Sequence, residues 1–174
     1  MTEQPYHRQH LAAAIAQQAR QQLEERGADQ LSLRQIARFL AVTPAAVYRH
    51  YPDKAALLAQ LRSDIQDELT AALRADVLAS ADAATMLQRM VTNLLNYATA
   101  HPRAIAFILT APLPVPQSLK TVVTLLVAQR QLSVPVEQAV LALWTFLLGA
   151  LLRLPTAEVD AEWVSAQLMK LLAE

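Results

Sequence analysis

The sequence predicts an all-α protein of about nine helices, with an N-terminal three-helix helix-turn-helix domain and a C-terminal helical bundle. Three observations predict this fold class. Hydrophobic residues make up 54% of the 174 residues, glycine occurs only twice, and apolar residues recur at helical spacing along most of the chain. We expect residues 1–52 to form the first domain and residues 53–174 to form the second.

The first predicted helix runs from about His7 to Arg26. Its buried stripe consists of apolar residues spaced four apart: Leu11, Ile15, Ala19 and Leu23. Gly27 follows the last turn, where glycine is favoured because it accepts a positive φ. The chain is therefore expected to leave the first helix at this glycine and to enter a short loop.

Two short helices joined by a tight turn are predicted between residues 32 and 54. Ser32 is a good N-cap, and an apolar face follows it at helical spacing. Thr43 caps the second helix, and Pro44 occupies its first position, where the missing N–H costs nothing. Asp53 caps the next helix. This pattern is the helix-turn-helix arrangement, whose second helix enters the major groove of DNA.

The second of these helices has the chemistry of a surface that reads DNA. Small residues at its start let the backbone approach base edges, and hydrogen-bond donors follow where phosphates would lie. The predicted DNA-binding residues are Ser32, Arg34, Thr43, Pro44, Ala45, Ala46, Tyr48, Arg49, His50 and Lys54. Among them we assign base contacts to Thr43, Ala45 and Ala46, and a phosphate contact to Lys54.

The order of these side chains resembles the DNA-binding domain of the TetR family of bacterial regulators. The matching residues are Ile36-Ala37, Ala41-Val42, Thr43, Tyr48-Arg49-His50-Tyr51, Lys54 and Leu57. Two positions differ, because Ala41 replaces the turn glycine of the family and Tyr51 replaces its phenylalanine. The resemblance implies a regulator that binds a double-stranded DNA operator and carries a helical domain for a small-molecule effector.

Helical spacing predicts six further helices. Proline residues between positions 112 and 116 break the chain, and a serine or aspartate at 80 or 82 caps the helix that follows the long linking one. The predicted spans are 53–78, 82–101, 103–110, 117–132, 135–154 and 157–173.

The last two helices, 135–154 and 157–173, are predicted to form a homodimer interface. The stretch from Ala139 to Leu152 is apolar on nearly all faces, so it must be covered on every side. A monomeric core is the alternative. The two-fold symmetry of a dimer matches a palindromic operator, and the resemblance implies the same arrangement.

The second domain also carries residues typical of a pocket for an apolar or aromatic ligand. These candidates are Met86, Met90, Asn93, Tyr97, Phe107, Trp144 and Phe146. Methionine and aromatic stripes are more often plain core than a binding site. Trp144 and Gly149 also resemble a ligand-domain subgroup of the TetR family named for a Trp, His and Gly signature, with Leu148 in place of the histidine. Close helix packing is expected at Gly149.

Composition and motifs argue against several other classes of protein. The chain has no cysteine, which excludes disulfides and thiolate metal sites. It has no glycine-rich phosphate loop, nucleophile elbow or metal-ligand cluster, so we predict neither an enzyme nor a cofactor. The polar N-terminus predicts no signal peptide, and the apolar run from Ala139 to Leu152 is too short to span a bilayer. We therefore expect a soluble cytoplasmic protein without a membrane partner.

The charge distribution supports nucleic-acid binding only modestly. The net charge is zero, and residues 1–54 hold seven Lys and Arg against five acidic residues. The leading interpretation is a repressor that binds its operator as a dimer and is released by a ligand. Two alternatives stay open: a helical ligand- or partner-binding protein without DNA binding, and a TetR-like activator.

Overall fold

The computed structural model describes residues 4–154 and 159–171, with side chains from His10 onwards. This part of the chain forms nine α-helices and two 3₁₀ turns, Ala28–Gln30 and Val77–Ala79, which confirms the predicted all-α class. The helices are α1 (Gln4–Arg26), α2 (Leu33–Phe39), α3 (Pro44–Tyr48), α4 (Lys54–Arg74), α5 (Ala83–Ala100), α6 (Pro102–Ile108), α7 (Gln117–Arg130), α8 (Val136–Arg153) and α9 (Ala161–Leu171).

The chain divides into two compact units, Met1–Gln66 and Asp67–Glu174, which we call unit 1 and unit 2. The division falls inside α4, so this one continuous helix contributes to both units. A functional boundary after residue 52 stays a prediction, because compactness alone does not say where DNA binding ends and ligand binding begins.

The core of unit 1 is built from the predicted stripe of α1. Ile15, Ala19 and Leu23 are completely buried. Gly27 has a φ of 84°, and its N–H donates to the Leu23 carbonyl oxygen at 2.8 Å. Leu31, at the end of the following loop, is also buried and anchors that loop in the core. These contacts fix the direction in which the chain enters α2.

In unit 2, α5 contacts α6, α7, α8 and α9. Its N-terminus is fixed by Asp82, whose carboxylate accepts from the Thr85 backbone N–H at 2.8 Å and from the Thr85 hydroxyl at 2.9 Å. These hydrogen bonds lower the pKa of the Asp82 carboxyl, since they favour its ionised form. One face of α5, including Leu87 and Leu94, is buried among the neighbouring helices.

Two predicted helix bounds need correction. The linking helix α4 ends at Arg74 rather than near Leu78, because Asp76 adopts a left-handed conformation with φ of 56° that α-helix does not continue through. The last helix is described as Ala161–Leu171, and residues 157, 158, 172 and 173 of its predicted span lie outside the described residues. The other bounds differ from prediction by three residues at most.

Helix α8 is longer than the apolar run that predicts it. By length and composition alone, Val136–Arg153 could cross a membrane, and 39% of it is buried inside the structure. A core helix of a soluble protein meets the same test, so this finding is weak support for a membrane span. Gly149 lies on the exposed side of α8, and a Cβ added there would meet nothing within 4 Å. The close packing expected at Gly149 is therefore absent from the described part of the chain.

Candidate nucleic-acid interface

Helix α2 begins at the Ser32 N-cap that the sequence predicts, without a reciprocal capping box. The Ser32 hydroxyl accepts from the Gln35 backbone N–H at 3.4 Å, as an N-cap does. In a reciprocal capping box the Gln35 side chain would bind the Ser32 N–H. Here that N–H donates instead to the buried side-chain oxygen of Gln22, on α1, at 3.3 Å. The side chain of Gln22 therefore sets the position at which α2 starts.

The turn between α2 and α3 places a non-glycine residue in a left-handed conformation. Ala41 has a φ of 53°, and its N–H donates to the Arg38 carbonyl at 3.2 Å. The next N–H, of Val42, donates to the Ala37 carbonyl at 3.0 Å, which completes a Schellman motif. Glycine is preferred at this position because it lacks a Cβ, so Ala41 holds the turn at some cost in strain.

Helix α3 is held by a side-chain cap and by two inward residues. The Thr43 hydroxyl accepts from the Ala46 N–H at 3.2 Å, and Pro44 is at the first helical position. Val47 is completely buried and Ala46 is 8% exposed. The helix is only five residues long, so these contacts to the rest of unit 1 hold it in place.

Nine of the ten predicted DNA-binding side chains are at least partly accessible. The exposed ones are Arg34, Thr43, Pro44, Ala45, Tyr48 and Arg49, and the half-buried ones are Ser32, His50 and Lys54. Ala46 differs, because its methyl group packs inward. Its burial argues against the base contact that the sequence assigns to this side chain and leaves Ala45 as the accessible small residue.

Lys54 lies at the first position of α4 and already has a partner. Its ammonium group donates to the Asp29 carbonyl oxygen at 2.7 Å, across 25 residues of sequence. The neighbouring Asp53 caps α4 through a bond from the Ala56 N–H at 2.7 Å. An ammonium group has three donors, so Lys54 retains capacity for a phosphate while it holds the loop before α2.

Tyr51 occupies the position at which the resemblance expects phenylalanine. Burial raises the pKa of its phenol, and the negative charge of Asp64 raises it further. The hydroxyl therefore stays neutral throughout the physiological pH range. This side chain is half-buried, so it combines the packing role of a phenylalanine with a hydroxyl that keeps a hydrogen-bonding capacity.

Residues 15–61 match the sequence model of bacterial regulatory proteins of the tetR family. They form a tetR-type helix-turn-helix domain. This match spans α2, α3 and the start of α4, which are the elements that present the accessible residues described above. The matched family consists of regulatory proteins rather than enzymes. No curated protein matches the chain.

Solved structures share the whole fold and not only the tetR-type domain. A protein of unknown function from Rhodococcus sp. RHA1 is 25% identical, with 98% of each chain covered and a TM-score of 0.78. The transcriptional regulator PfmR from Thermus thermophilus is 20% identical, with 91% of this chain and 97% of its own covered and a TM-score of 0.66. RolR in complex with resorcinol is 15% identical, with 96% and 89% covered and a TM-score of 0.68. The tetR-type domain is thus followed by a helical C-terminal domain with the same fold as in these solved structures.

Two residues of the tetR-type domain were missed by sequence reasoning. Gln22 is 5% exposed although it is polar, and it binds the start of α2. Its place among the buried residues of α1 was the available signal, since a glutamine within an apolar stripe needs a partner. Phe39 is 67% exposed at the end of α2. The available signal was its position outside the buried face of that helix, which consists of Leu33, Ile36 and Ala37.

The residues predicted to form a ligand pocket have separate partners in unit 2. Met90 is almost completely buried. The Asn93 side chain donates to the Ala75 carbonyl at 2.9 Å, and the Tyr97 hydroxyl donates to Glu68 at 2.7 Å. The Trp144 indole N–H donates to the Leu113 carbonyl at 3.0 Å. These polar groups serve to join helices and loops of the core.

The remaining three candidates are half-buried: Met86, Phe107 and Phe146. The Phe146 ring lies 6.0 Å from the Trp163 ring, and both line a cleft of about 470 Å³ between α8 and α9. The predicted set is therefore distributed between the core and the surface of unit 2, and a pocket built from all seven stays a prediction without support from their positions.

Proposed function

We propose that this protein is a transcription regulator that binds double-stranded operator DNA through the tetR-type domain. The observation that carries the proposal is the accessible, capped start of α3 inside a segment that matches tetR-family regulators. In a helix-turn-helix protein these N-terminal residues meet base edges in the major groove. Thr43 and Ala45 are then the base-facing residues, and Tyr48, Arg49 and Lys54 face phosphates.

We also propose that the regulator acts as a homodimer through α8 and α9. Leu141 is 62% exposed and Leu152 is 66% exposed, and their spacing of three helical turns places them on one face of α8. Trp163, on α9, is 47% exposed. Large apolar side chains exposed on α8 and α9 support an interaction site on these helices. A two-fold axis at this face would pair two α3 helices, which suits a palindromic operator.

An apolar or aromatic small molecule is the proposed effector, and loss of DNA binding is its proposed result. RolR, which shares this fold, was solved with resorcinol bound. An effector releases DNA only if it binds the DNA-free conformation more tightly than the DNA-bound one. We place the protein in the cytoplasm, where a repressor meets its operator. Membership of the Trp, His and Gly subgroup stays part of this proposal, with Leu148 at the histidine position.

Selection of bound fragments from a random double-stranded DNA library tests the proposal directly. The expected result is enrichment of an inverted repeat, with half-site centres about 34–36 Å apart or a multiple of that distance. Failure to enrich any sequence would contradict DNA reading, and enrichment of a single unrepeated half-site would contradict the dimer.

A matched pair of variants makes the same experiment specific to α3. Ala45→Asn places an amide at the exposed base-facing position and should change the preferred base at one position of each half-site. Ala59→Asn makes the same change at an exposed position of α4, outside the proposed interface, and should leave the enriched sequence unaltered. An Ala45→Asn protein that enriches the wild-type sequence would place base reading elsewhere.

A further inference from the structure

Helix α1 turns two glutamines, Gln18 and Gln22, toward the core of unit 1. Gln22 is 5% exposed, and its side-chain oxygen accepts from the Ser32 backbone N–H at 3.3 Å, across ten residues of sequence. A buried amide that has lost its water needs a hydrogen-bond partner, and this N–H supplies one. The bond joins the last turns of α1 to the residue that caps α2.

Two side-chain contacts tie the start of α2 to α1. In a capping box the third residue of a helix accepts from the N–H of its own N-cap, so the start of the helix is closed locally. The Gln35 side-chain oxygen instead accepts from the Arg26 guanidinium of α1, in a bond of 3.5 Å. The Gln22 bond is the shorter of these two ties to α1 and the less exposed one.

Apolar packing and hydrogen bonding fix different parts of the position of α2. Leu33, Ile36 and Ala37 form its buried face, and their packing determines which side of the helix points inward. Apolar contact has no preferred direction, so it permits small displacements of the helix along its axis. A hydrogen bond has a preferred length and angle, so the bond between Gln22 and Ser32 fixes the axial position. A helix of seven residues depends on such contacts, because it is too short to be stable alone.

We propose that Gln22 is a positioning residue for operator binding, which holds the start of α2 where the Arg34 side chain meets a DNA phosphate. This role rests on the proposed function, and Gln22 itself is too buried to touch DNA. Arg34 is exposed and is the second residue of α2, two positions after the N–H that Gln22 holds. Bonds from a guanidinium to an anionic oxygen are about 2.7–2.9 Å long, so a displacement of α2 by about 1 Å breaks them.

The salt dependence of operator binding tests this role, because an uncharged substitution at a buried position changes it only through another residue. Gln22→Met keeps a side chain of similar length and removes the acceptor. It should raise the operator dissociation constant at least about 5-fold and make the slope of log K against log salt smaller by about 0.9, the value for one phosphate contact. In an Arg34→Ala background, Gln22→Met should change the slope no further, since the affected contact is already absent. Fluorescence anisotropy with the selected operator measures wild type, both single variants and the double variant.

Two further substitutions separate the hydrogen bond from a general effect on α1. Gln22→Glu keeps an acceptor oxygen, and the positive end of the α2 dipole favours its charge, so this variant should retain the wild-type slope. Gln18→Met makes the matched change one turn earlier, at a position 8% exposed that has no hydrogen bond to α2 in the described part of the chain, and should retain the slope as well. An unchanged slope in Gln22→Met would overturn the proposal, and so would an equal reduction in Gln18→Met.

Hydrogen exchange at the Ser32 amide, followed by NMR, tests the bond without DNA. This N–H should exchange at least about 10-fold more slowly in wild type than in Gln22→Met, and Gln22→Glu should keep it protected. Gln22→Leu also lacks the acceptor and should reproduce both results of Gln22→Met, so the test does not depend on the folding of one variant. Equal exchange of the Ser32 amide in wild type and in the variants without an acceptor would overturn the proposal.

Failure of the positioning role is distinguishable from failure of the proposed function. A wild-type protein with a protected Ser32 amide that enriches no DNA sequence would contradict DNA binding, and the positioning role with it. Operator binding by wild type, with an unchanged salt slope in Gln22→Met, would overturn the positioning role alone. The expected result is faster Ser32 exchange together with a smaller slope in Gln22→Met and Gln22→Leu, and wild-type behaviour of both quantities in Gln22→Glu.

Discussion

Helix α3 and helix α8 both present accessible residues, but the two surfaces differ in chemistry and in origin. The accessible face of α3 carries small and polar side chains that water solvates well, including Thr43 and Arg49. The accessible face of α8 carries Leu141 and Leu152, which water solvates poorly. A polar surface is well solvated without a partner, whereas an apolar surface is stabilised when another apolar surface covers it.

The difference predicts that one charge on α8 will have the largest effect of any substitution considered. Leu141→Glu should raise the dimer dissociation constant at least about 100-fold, because the partner would have to bury an unpaired carboxylate. Operator affinity should fall with it, since half-sites are then bound singly. Sedimentation equilibrium measures the first effect, and fluorescence anisotropy with labelled operator measures the second.

Leu78→Glu is the matched control for that experiment. Leu78 is 91% exposed and lies in the 3₁₀ turn after α4, outside the proposed interface. Leu78→Glu should leave both the dimer dissociation constant and the operator affinity unchanged. A Leu141→Glu protein that remains dimeric at micromolar concentration would show that the accessible face of α8 is not the interface.

The second prediction concerns the polar surface and separates two roles of Lys54. The slope of log K against log salt should become smaller by about 0.9 for each phosphate contact that is lost. Lys54→Ala removes both the charge and the bond to the Asp29 carbonyl, whereas Lys54→Gln removes the charge and keeps a donor. Salt titrations of operator binding should therefore show the smaller slope in both variants.

Urea unfolding supplies the other half of that comparison. Lys54→Ala should lose about 1 kcal/mol of stability through the missing bond to Asp29, and Lys54→Gln should lose less. Arg74→Ala, at the exposed end of α4, should preserve the salt slope. An unchanged slope in both Lys54 variants, accompanied by lower stability in one, would assign Lys54 to the loop alone.

The third prediction compares the same turn in the two units. Ala41 ends α2 with a φ of 53° and Gln131 ends α7 with a φ of 52°, and both turns have the hydrogen bonds of a Schellman motif. Glycine adopts this conformation without strain, so Ala41→Gly and Gln131→Gly should each raise the unfolding free energy by about 0.5–1 kcal/mol. Urea unfolding at neutral pH measures both changes.

Ala45→Gly is the control for backbone freedom. Ala45 lies within α3 in helical conformation, where glycine costs about 1 kcal/mol relative to alanine, so this change should lower stability. If Ala41→Gly also destabilises the protein, the left-handed turn stores no strain that glycine can relieve.

The two surfaces also differ in how much of them the sequence could predict. Ser32, Thr43 and Asp53 cap their helices as predicted, because a cap depends on residues two or three positions away. Of the two candidates left open for α5, Ser80 and Asp82, it is Asp82 that caps the helix. The turn at Ala41 is equally local. These local interactions made most of the accessible residues of α3 predictable from sequence. The burial of Ala46 was not predictable, because it depends on the tertiary fold.

A pocket in unit 2 would depend on contacts between residues that are far apart in sequence. Large apolar residues suggested a pocket, yet Met90 is core and Trp144 holds the Leu113 carbonyl. A cleft of about 310 Å³ between the end of α5, α6 and the end of α8 exists where small side chains such as Ala98 and Ala106 leave space. An alanine in the sequence does not by itself predict a cavity, because the space beside it depends on which helix packs opposite. The end of α4 at Arg74 was equally unpredictable from the sequence. Asp76, which adopts the left-handed conformation after it, is neither glycine nor proline.

The smallest predicted effect tests a cap whose strength depends on charge. Hydrogen bonds from Thr85 lower the pKa of Asp82 below its ordinary value of 3.8, so the native state favours the ionised carboxylate. Its contribution to stability is therefore complete above the unfolded-state pKa and is lost as the pH falls through the lower native value. Asp82→Asn keeps a capping oxygen but does not titrate, so wild type should be slightly more stable near pH 6 and lose that advantage below the native pKa. Urea midpoints measured between pH 6 and the acid limit of folding follow the difference.

Asp76→Asn is the control, because the Asp76 side chain makes no capping hydrogen bond. A difference between wild type and Asp82→Asn that is independent of pH would show that the hydrogen bonds to Thr85, and not the charge they stabilise, account for the whole cap.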